Sequence, residues 1–304
     1  MDTRFSNDKA FFDENGYVVV NDAFSKEDLQ AFKASLNGLI KLAIEKAERC
    51  NLNLELPTLE VGNELDQGVI ALDRLNPEYV SFIQRTVSRS AEFLKFCSNV
   101  YITQLLKVLL DMPPDLPLYL TSNGVVFTNP EKENRNRANF EIDWHLDTFF
   151  TIPKSRFIQI WAPLYHDATE NIGTLMVCPG SNKIDPCQRK QKFNPDSGYN
   201  NQYYLEPQEI KPYQPRSIEL KLGQLLIFDG RTIHRSGQNI SNHVRCTLLG
   251  LAHHTGKDEF VPLTALYKYH GLTPEAYFYQ LYNDEQAKEH MYDHAVSTEL
   301  VGGV

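Results

Sequence analysis

Residues 224–230, with the sequence QLLIFDG, decide the fold class, because a short apolar run ends there at an Asp-Gly turn. Similar runs bounded by Gly, Pro, Asn or Asp recur from residue 118 onward. They cover Gly124–Thr128, Phe157–Trp161, Thr174–Cys178, Ile218–Leu220, Gln224–Phe228 and Cys246–Ala252. Regularly spaced short strands are typical of an all-β sandwich or barrel. No helical patterns of about 10–15 residues alternate with them, so a parallel α/β sheet is not expected.

The first third of the sequence predicts helices. Ser25 is the expected N-cap of the first one, and its apolar residues recur at helical spacing: Leu29, Phe32, Leu36, Ile40 and Ala43. Asn76-Pro77 predicts the start of a second helix. That helix is expected to run through Val80, Ile83 and Val87 to Phe93 or Leu94, and a third from about Tyr101 to Leu110. A strand is expected at Gly16–Val20.

These elements predict one domain in three parts. Residues 1–116 form a mostly helical N-terminal support, and residues 117–256 form the β core. Residues 183–217 are a polar insert in that core with no clear period, which is typical of a lid over a functional site. Residues 257–304 form a helical C-terminal tail, with the helix expected around Thr273–His290.

Composition excludes several kinds of partner. The net charge of −9 argues against binding to nucleic acid or to an anionic membrane. No run approaches the roughly 18 apolar residues of a membrane span, and the polar N-terminus does not resemble a secretory signal. The five cysteines are scattered, which indicates reduced thiols. We therefore expect a cytoplasmic protein.

His145-Leu146-Asp147 is an H-x-D pair. On an extended strand the residues i and i+2 project from the same face, so both side chains can reach one metal ion. For the bare tripeptide, a surface histidine beside a turn aspartate is the more ordinary interpretation.

His234 and Arg245 strengthen the metal interpretation. His234 lies just beyond the strand at residues 225–228, at a separation from His145 that suits a jelly roll. Two imidazoles and one carboxylate form the facial triad that leaves three positions open on iron(II). Arg245 lies inside an apolar strand, where its planar fork matches a carboxylate in bidentate geometry. The alternatives are a core or turn histidine at position 234 and a buried ion pair at Arg245.

The chain resembles the phytanoyl-CoA hydroxylase-like family of iron(II)/2-oxoglutarate oxygenases over about Phe11 to His253. The similar segments are residues 12–19 (FDENGYVV), 144–147 (WHLD), 160–164 (IWAPL), 171–175 (NIGTL), 178–183 (CPGSNK) and 234–241 (HRSGQNIS), followed by Arg245. Asn182 departs from the family, which often has histidine there, but this position is not a ligand.

The resemblance implies a double-stranded β-helix core (jelly roll, cupin-like) with flanking helices. It also implies that His145, Asp147 and His234 bind iron, that Arg245 and Ser236 hold the distal carboxylate of 2-oxoglutarate, and that Trp161 lines the cosubstrate pocket. The residues add that Phe157, Gln159 and Trp161 share one strand face. Gln159 is therefore a further candidate for the site, unless it faces solvent and Trp161 belongs to the core.

The expected reaction, as the resemblance implies it, uses iron(II), 2-oxoglutarate and dioxygen and releases succinate and carbon dioxide. Hydroxylation of an unactivated C–H bond is the default outcome, and desaturation or ring closure would use the same residues. The expected substrate is a small polar molecule or a natural product, and the oligomeric state is left open. A cupin-like metal enzyme without 2-oxoglutarate and a non-catalytic jelly-roll binding protein are the alternatives.

The remaining histidines have no partnered spacing. They are interpreted as surface or hydrogen-bonded residues: His166, His243, His253, His254, His270, His290 and His294.

Overall fold

The computed structural model describes residues 5–50, 56–131, 143–147, 156–185, 191–194, 202–257 and 260. Six helices come first within these ranges: α1 (Ser6–Asn15), α2 (Lys26–Cys50), α3 (Glu64–Leu75), α4 (Pro77–Val87), α5 (Ala91–Cys97) and α6 (Val100–Leu109). Among the described residues, no helix is both long enough and apolar enough to cross a membrane.

Helix α2 forms as its sequence predicts. The Ser25 hydroxyl accepts a hydrogen bond from the Asp28 backbone N–H at 3.0 Å, which caps the first turn. The predicted apolar stripe is buried, together with two further residues of the same face, Ile44 and Ala47. The stripe packs into the core that the helices share with the larger sheet.

The second predicted helix is two helices. Asn76 caps α4 by accepting from the Glu78 N–H at 3.0 Å, with proline at the first helical position, as expected. The predicted continuation to Phe93 or Leu94 is wrong, because α4 ends at Val87 and Ser90 caps a new helix by accepting from the Phe93 N–H. Ser88 between them accepts instead from the Val125 N–H of the β core at 2.8 Å.

Helices α1 and α3 were not predicted from the sequence. Of its own residues, α1 buries Phe12, so it shows no apolar period. Helix α3 buries Glu64, Asp66 and Asp73 beside its apolar residues, which hides its period. The third predicted helix corresponds to α6.

The strands are β1 (Tyr17–Val20), β2 (Leu118–Thr128), β3 (Phe157–Pro163), β4 (Leu175–Val177), β5 (Gln191–Asn194), β6 (Gln202–Leu205), β7 (Arg216–Ile218), β8 (Leu225–Asp229), β9 (His234–Ser236) and β10 (Arg245–His254). The larger sheet has the order β1-β8-β3-β10-β2, and the smaller sheet β7-β4-β9. Strands β5 and β6 form a separate hairpin. Every pair is antiparallel.

The apolar run at residues 225–228 is continuous because both faces of β8 are buried. Leu225 and Ile227 face the helices and belong to the main core. Leu226 and Phe228 alternate with them and join a second cluster, to which both sheets contribute. The result is a sheet sandwich supported by helices on one side, which confirms the predicted fold class.

Within the predicted insert the described residues are partly regular. The hairpin of β5 and β6 is followed by the short helix α7 (Pro207–Ile210), so the expectation of a wholly irregular segment is wrong. The predicted C-terminal helix around Thr273–His290 lies outside the described residues.

Candidate metal centre

His145 and His234 are brought together by backbone pairing at a strand end. His234 begins β9, and His145 forms an isolated antiparallel bridge with it. The two N–H···O bonds of the bridge are 3.0 and 3.2 Å long. The imidazole centroids lie 4.2 Å apart as a consequence.

Asp147 reaches the same point by a route that differs from the prediction. It does not continue an extended strand with His145 but lies in a 3-10 conformation. Leu146 between them is fully buried and packs with Cys178 and Ile233. Because the apolar Leu146 is held inward, the chain turns there and returns the carboxylate toward the two imidazoles.

The three side chains converge on one point. His145 Nε2 lies 3.3 Å from Asp147 Oδ1, and His234 Nε2 lies 3.6 Å from Asp147 Oδ2. All three donor atoms lie within 4.8 Å of one another, close enough to hold one metal ion. His145 is 3% and His234 4% exposed, so both imidazoles are shielded from bulk water.

Main-chain carbonyls fix the tautomer of both histidines. His145 Nδ1 lies 2.6 Å from the Asp143 carbonyl oxygen, and His234 Nδ1 lies 2.9 Å from that of Thr232. A carbonyl oxygen can only accept, so each Nδ1 carries a proton, and in the neutral imidazole Nε2 is left with the lone pair. Two neutral imidazoles would place two lone pairs beside the Asp147 carboxylate, an arrangement that favours a shared cation.

The charge states suit a divalent cation. Burial, and then the neighbouring His145, lower the pKa of His234 to about 4, so its imidazole is neutral near pH 7. Burial opposes ionisation of Asp147, but the pKa of that carboxyl still lies below its usual range, because a protonated His234 or His145 beside it favours the carboxylate form. Two histidine imidazoles and one carboxylate are the donor set of non-haem iron(II).

Gln159 of β3 belongs to this centre. It is 1% exposed, and its side-chain amide donates to Asp147 Oδ2. The alternative in which Gln159 faces solvent is therefore excluded. Trp161 lies on the same face of β3 and is buried in the cluster between the sheets. That Trp161 lines a cosubstrate pocket stays a prediction.

Arg245 begins β10 and is 5% exposed. Its Nη1 donates to the carbonyl oxygens of Gly173 and Gly237, and its Nη2 donates to the Thr128 hydroxyl at 2.8 Å. These contacts fix the orientation of the guanidinium. That Arg245 holds the distal carboxylate of 2-oxoglutarate stays a prediction.

The oxygen atoms that accept hydrogen bonds from Arg245 form a cradle around its guanidinium, and this cradle requires glycine at position 173. Its φ is +85°, and a Cβ there would lie 2.5 Å from the Gly237 carbonyl oxygen and 3.0 Å from Arg245 Nη1. Gly237 directly follows Ser236, the last residue of β9, whose first residue is His234. Gly237, which contacts the Arg245 guanidinium, is therefore only three residues along the chain from His234. The carboxylate-binding role of Ser236 stays a prediction.

Three contributors were not predicted from the sequence. The carbonyl groups of Asp143 and Thr232 act through the backbone, for which the residue type carries no signal. Thr128 is paired with Arg245 in the β2–β10 register, which only the sheet topology reveals.

The predicted insert contacts the segment that carries the first two ligands. The Leu205 N–H donates to the Trp144 carbonyl oxygen at 2.7 Å. Leu205 packs with Leu146, and Ile210 and Tyr213 extend this cluster. That residues 183–217 act as a lid stays a prediction.

Fold and site together define a jelly-roll protein with a candidate His-Asp-His metal centre. A family model described as "Phytanoyl-CoA dioxygenase (PhyH)" matches residues 12–247, and the chain belongs to this family. The resemblance predicted from the sequence is thereby confirmed. Enzymes of the family depend on iron(II), 2-oxoglutarate and dioxygen, which are the cofactors expected above.

Individual relatives are distant. The chain is 21% identical to the peroxisomal phytanoyl-CoA dioxygenase of Rattus norvegicus over 235 residues, which cover 76% of this chain and 63% of that protein. The chain thus matches less than two thirds of the length of this relative.

Two solved structures share the fold. The epimerase SnoN, in complex with Fe3+, α-ketoglutarate and nogalamycin RO, has a TM-score of 0.52 and 15% identity, over 83% of this chain and 84% of that one. EctD from S. alaskensis with bound Fe has a TM-score of 0.51 and 16% identity, over 82% and 76%.

Proposed function

We propose that this chain is a 2-oxoglutarate-dependent oxygenase that oxidises an unactivated C–H bond of a small molecule and releases succinate and carbon dioxide. His145, Asp147 and His234 are the iron ligands in this proposal. The observation that carries it is the convergence of two Nε2 atoms on the Asp147 carboxylate at 3.3 and 3.6 Å, with both Nδ1 atoms bonded to carbonyl groups.

The protein's part in the reaction is to hold and aim the reactants. The Asp143 and Thr232 carbonyls keep both imidazoles in the ligating tautomer, and Gln159 holds the Asp147 carboxylate. When bound, iron(II) supplies the activation of dioxygen. Arg245, helped by Ser236, would hold the distal carboxylate of 2-oxoglutarate through a bidentate pair.

Hydroxylation is the default outcome of the proposal, and desaturation or ring closure would use the same residues. The proposed substrate is a small polar molecule or a natural product, as the polar, Tyr-rich insert suggests. The solved structures of SnoN with nogalamycin RO and of EctD with 5-hydroxyectoine hold small molecules in a similar fold. Fold alone does not select among substrates.

The test is succinate release by the purified protein with iron(II), 2-oxoglutarate and dioxygen against a panel of small molecules. We expect succinate to form in step with one oxidised product, and we expect the Asp147→Ala variant to form neither. A wild-type protein that binds iron but not 2-oxoglutarate would instead favour the cupin-like alternative. Binding of both without turnover of any substrate would favour the non-catalytic alternative.

A cytoplasmic location is kept as part of the proposal. Cys50, Cys97 and Cys246 are free thiols, as expected in a reducing compartment. Fractionation of the native cell, with the protein followed by antibody, would test the location. Recovery in an organelle or a membrane fraction would contradict it.

A further inference from the structure

A second group of two histidines and one aspartate lies outside the centre described above. Asp66 is on helix α3, His166 is in the loop after β3, and His243 is in the loop that leads into β10. One donor atom from each side chain lies within 4.8 Å of the other two. These three residues, which we call the α3 cluster, are far apart in sequence, and the fold alone brings them together.

One oxygen of the Asp66 carboxylate lies close to both histidines. Asp66 Oδ2 lies 2.7 Å from His243 Nδ1 and 3.2 Å from His166 Nε2. The other oxygen, Oδ1, accepts from the Val244 backbone N–H at 2.7 Å, which fixes the carboxylate plane. The two imidazole rings face each other with centroids 4.7 Å apart.

His166 Nε2 is the informative atom. It is buried and makes no hydrogen bond, although Asp66 Oδ2 is only 3.2 Å away, so the ring nitrogen is not directed at that oxygen. A buried imidazole nitrogen without a partner is unfavourable in either protonation state, as an unmatched N–H or as a lone pair beside a carboxylate. A cation shared with Asp66 and His243 would remove the mismatch.

The geometry is that of a three-ligand zinc site. Zinc bonds of about 2.0–2.2 Å to nitrogen and oxygen place tetrahedral donor atoms roughly 3.3 Å apart. The 3.2 Å separation of His166 Nε2 and Asp66 Oδ2 already matches this, and the 2.7 Å contact of His243 must lengthen. The His243 side chain is 53% exposed, so it is free to move and leaves a face open for a water ligand.

We propose that Asp66, His166 and His243 form a second metal site, which takes a zinc ion with water as its fourth ligand. Zinc is preferred over iron(II) at such a set of donors because a given site of nitrogen and oxygen ligands generally binds zinc more tightly than iron(II). Binding of zinc here does not depend on the proposed oxygenase function.

A zinc ion at this site would stabilise the start of β10. Asp66 bonds the Val244 N–H, His243 precedes Val244, and Arg245 follows it. A metal held by Asp66, His166 and His243 therefore ties helix α3 and the loop after β3 to the backbone that presents Arg245. Its expected consequence is a more heat-stable fold, with the start of β10 better ordered.

The experiment measures how many equivalents of zinc the protein binds. Protein stripped of metal with a chelator is titrated with Zn2+ in the presence of a chromophoric zinc chelator that competes for the ion. We expect two equivalents for the wild type and one for the His145→Ala/Asp147→Ala variant, whose first centre is disabled. Adding His166→Gln/His243→Gln to that variant should remove the remaining equivalent and the rise in melting temperature caused by zinc. Glutamine keeps hydrogen-bonding capacity at both positions, and circular dichroism checks that each variant is folded.

An unchanged zinc count after His166→Gln/His243→Gln would overturn the proposal, as would a count of zero in the His145→Ala/Asp147→Ala variant. Anomalous scattering at the zinc edge from soaked crystals gives a second measurement, which does not depend on variants. A peak bonded to His166 Nε2, His243 Nδ1 and Asp66 supports the site, and none there contradicts it. Because the count is made without the first centre, its failure is distinct from a failure of the oxygenase proposal.

Discussion

The two His-His-Asp groups contain the same side chains in opposite settings. The first is built at strand ends and buries both imidazoles, whereas the second is built from a helix and two loops and leaves His243 largely exposed. In the first, main-chain carbonyls hold each Nδ1 proton and direct each Nε2 inward. In the second, His243 uses Nδ1 itself toward Asp66, so a proton must leave that atom before a metal can bind.

This difference indicates that preorganisation, more than residue type, distinguishes the candidate catalytic centre from the candidate structural metal site. In the oxygenase proposal the buried group is preorganised for a metal, because main-chain carbonyls already fix both of its imidazoles. The α3 cluster must rearrange, and its solvent-facing side suits a structural ion. The predictions below test this contrast.

Removing one carboxylate from each group should have very unequal effects on turnover. We expect Asp147→Ala to lose iron binding and at least about 1,000-fold of the rate of succinate release, because an anionic ligand is removed. Asp66→Ala, the matched change in the α3 cluster, should leave the rate per folded molecule nearly unchanged. Iron content by mass spectrometry and coupled succinate assays provide the measurement. A similar loss of the succinate-release rate in both variants would contradict the assignment of different roles to the two groups.

Arg245→Leu should keep the fold and the iron but weaken 2-oxoglutarate binding. Loss of a desolvated charge pair costs about 2–5 kcal/mol, so the dissociation constant should rise by roughly 30-fold or more. Calorimetric titration with 2-oxoglutarate measures it, and Arg216→Leu at an exposed position of β7 is the control. Equal affinity in the two variants would refute the anchor.

Acid should destabilise the fold through its buried histidines. His253 is buried next to the Thr121 hydroxyl, and burial lowers its pKa from 6.5 to about 4. Between these values the unfolded chain binds the proton more readily, so stability is lost as the pH falls from 6.5 toward 4, by at most about 3 kcal/mol. Urea unfolding at pH 7 and pH 5 should show a smaller loss for His253→Gln than for the wild type. Identical losses would contradict the assignment.

The smallest effect is expected at the cradle of Arg245. Gly173→Ala places a side chain at a positive φ and against Gly237 and Arg245, which costs about 1–3 kcal/mol. We expect a lower melting temperature and weaker 2-oxoglutarate binding. The control is Gly38→Ala in helix α2, where an added Cβ meets nothing within 4 Å and should be neutral or stabilising. Similar changes of melting temperature and 2-oxoglutarate binding in the two variants would contradict the proposed role of Gly173.

The β core could be predicted from the sequence because it leaves local signals, and the residues of the candidate first centre were selected from local signals too. The run at residues 225–228 is apolar on both faces, and a single residue separates His145 from Asp147. The geometry behind that pair was not predicted, since the turn at Leu146 depends on Cys178 and Ile233, distant in sequence. For the same reason His166 and His243 were interpreted as surface or hydrogen-bonded histidines, and Asp66 was hidden inside the unpredicted helix α3.

The pairing of β1 with β8 has a consequence for synthesis of the chain. Tyr17 is opposite Phe228, so the first strand to leave the ribosome finds its partner only after nearly all the described residues have been made. Helices α2 to α6 emerge long before the sheet that covers their apolar faces. Contacts so distant in sequence make folding slow and leave the nascent helices open to aggregation. Production of the protein should therefore gain from slower translation or from added chaperones.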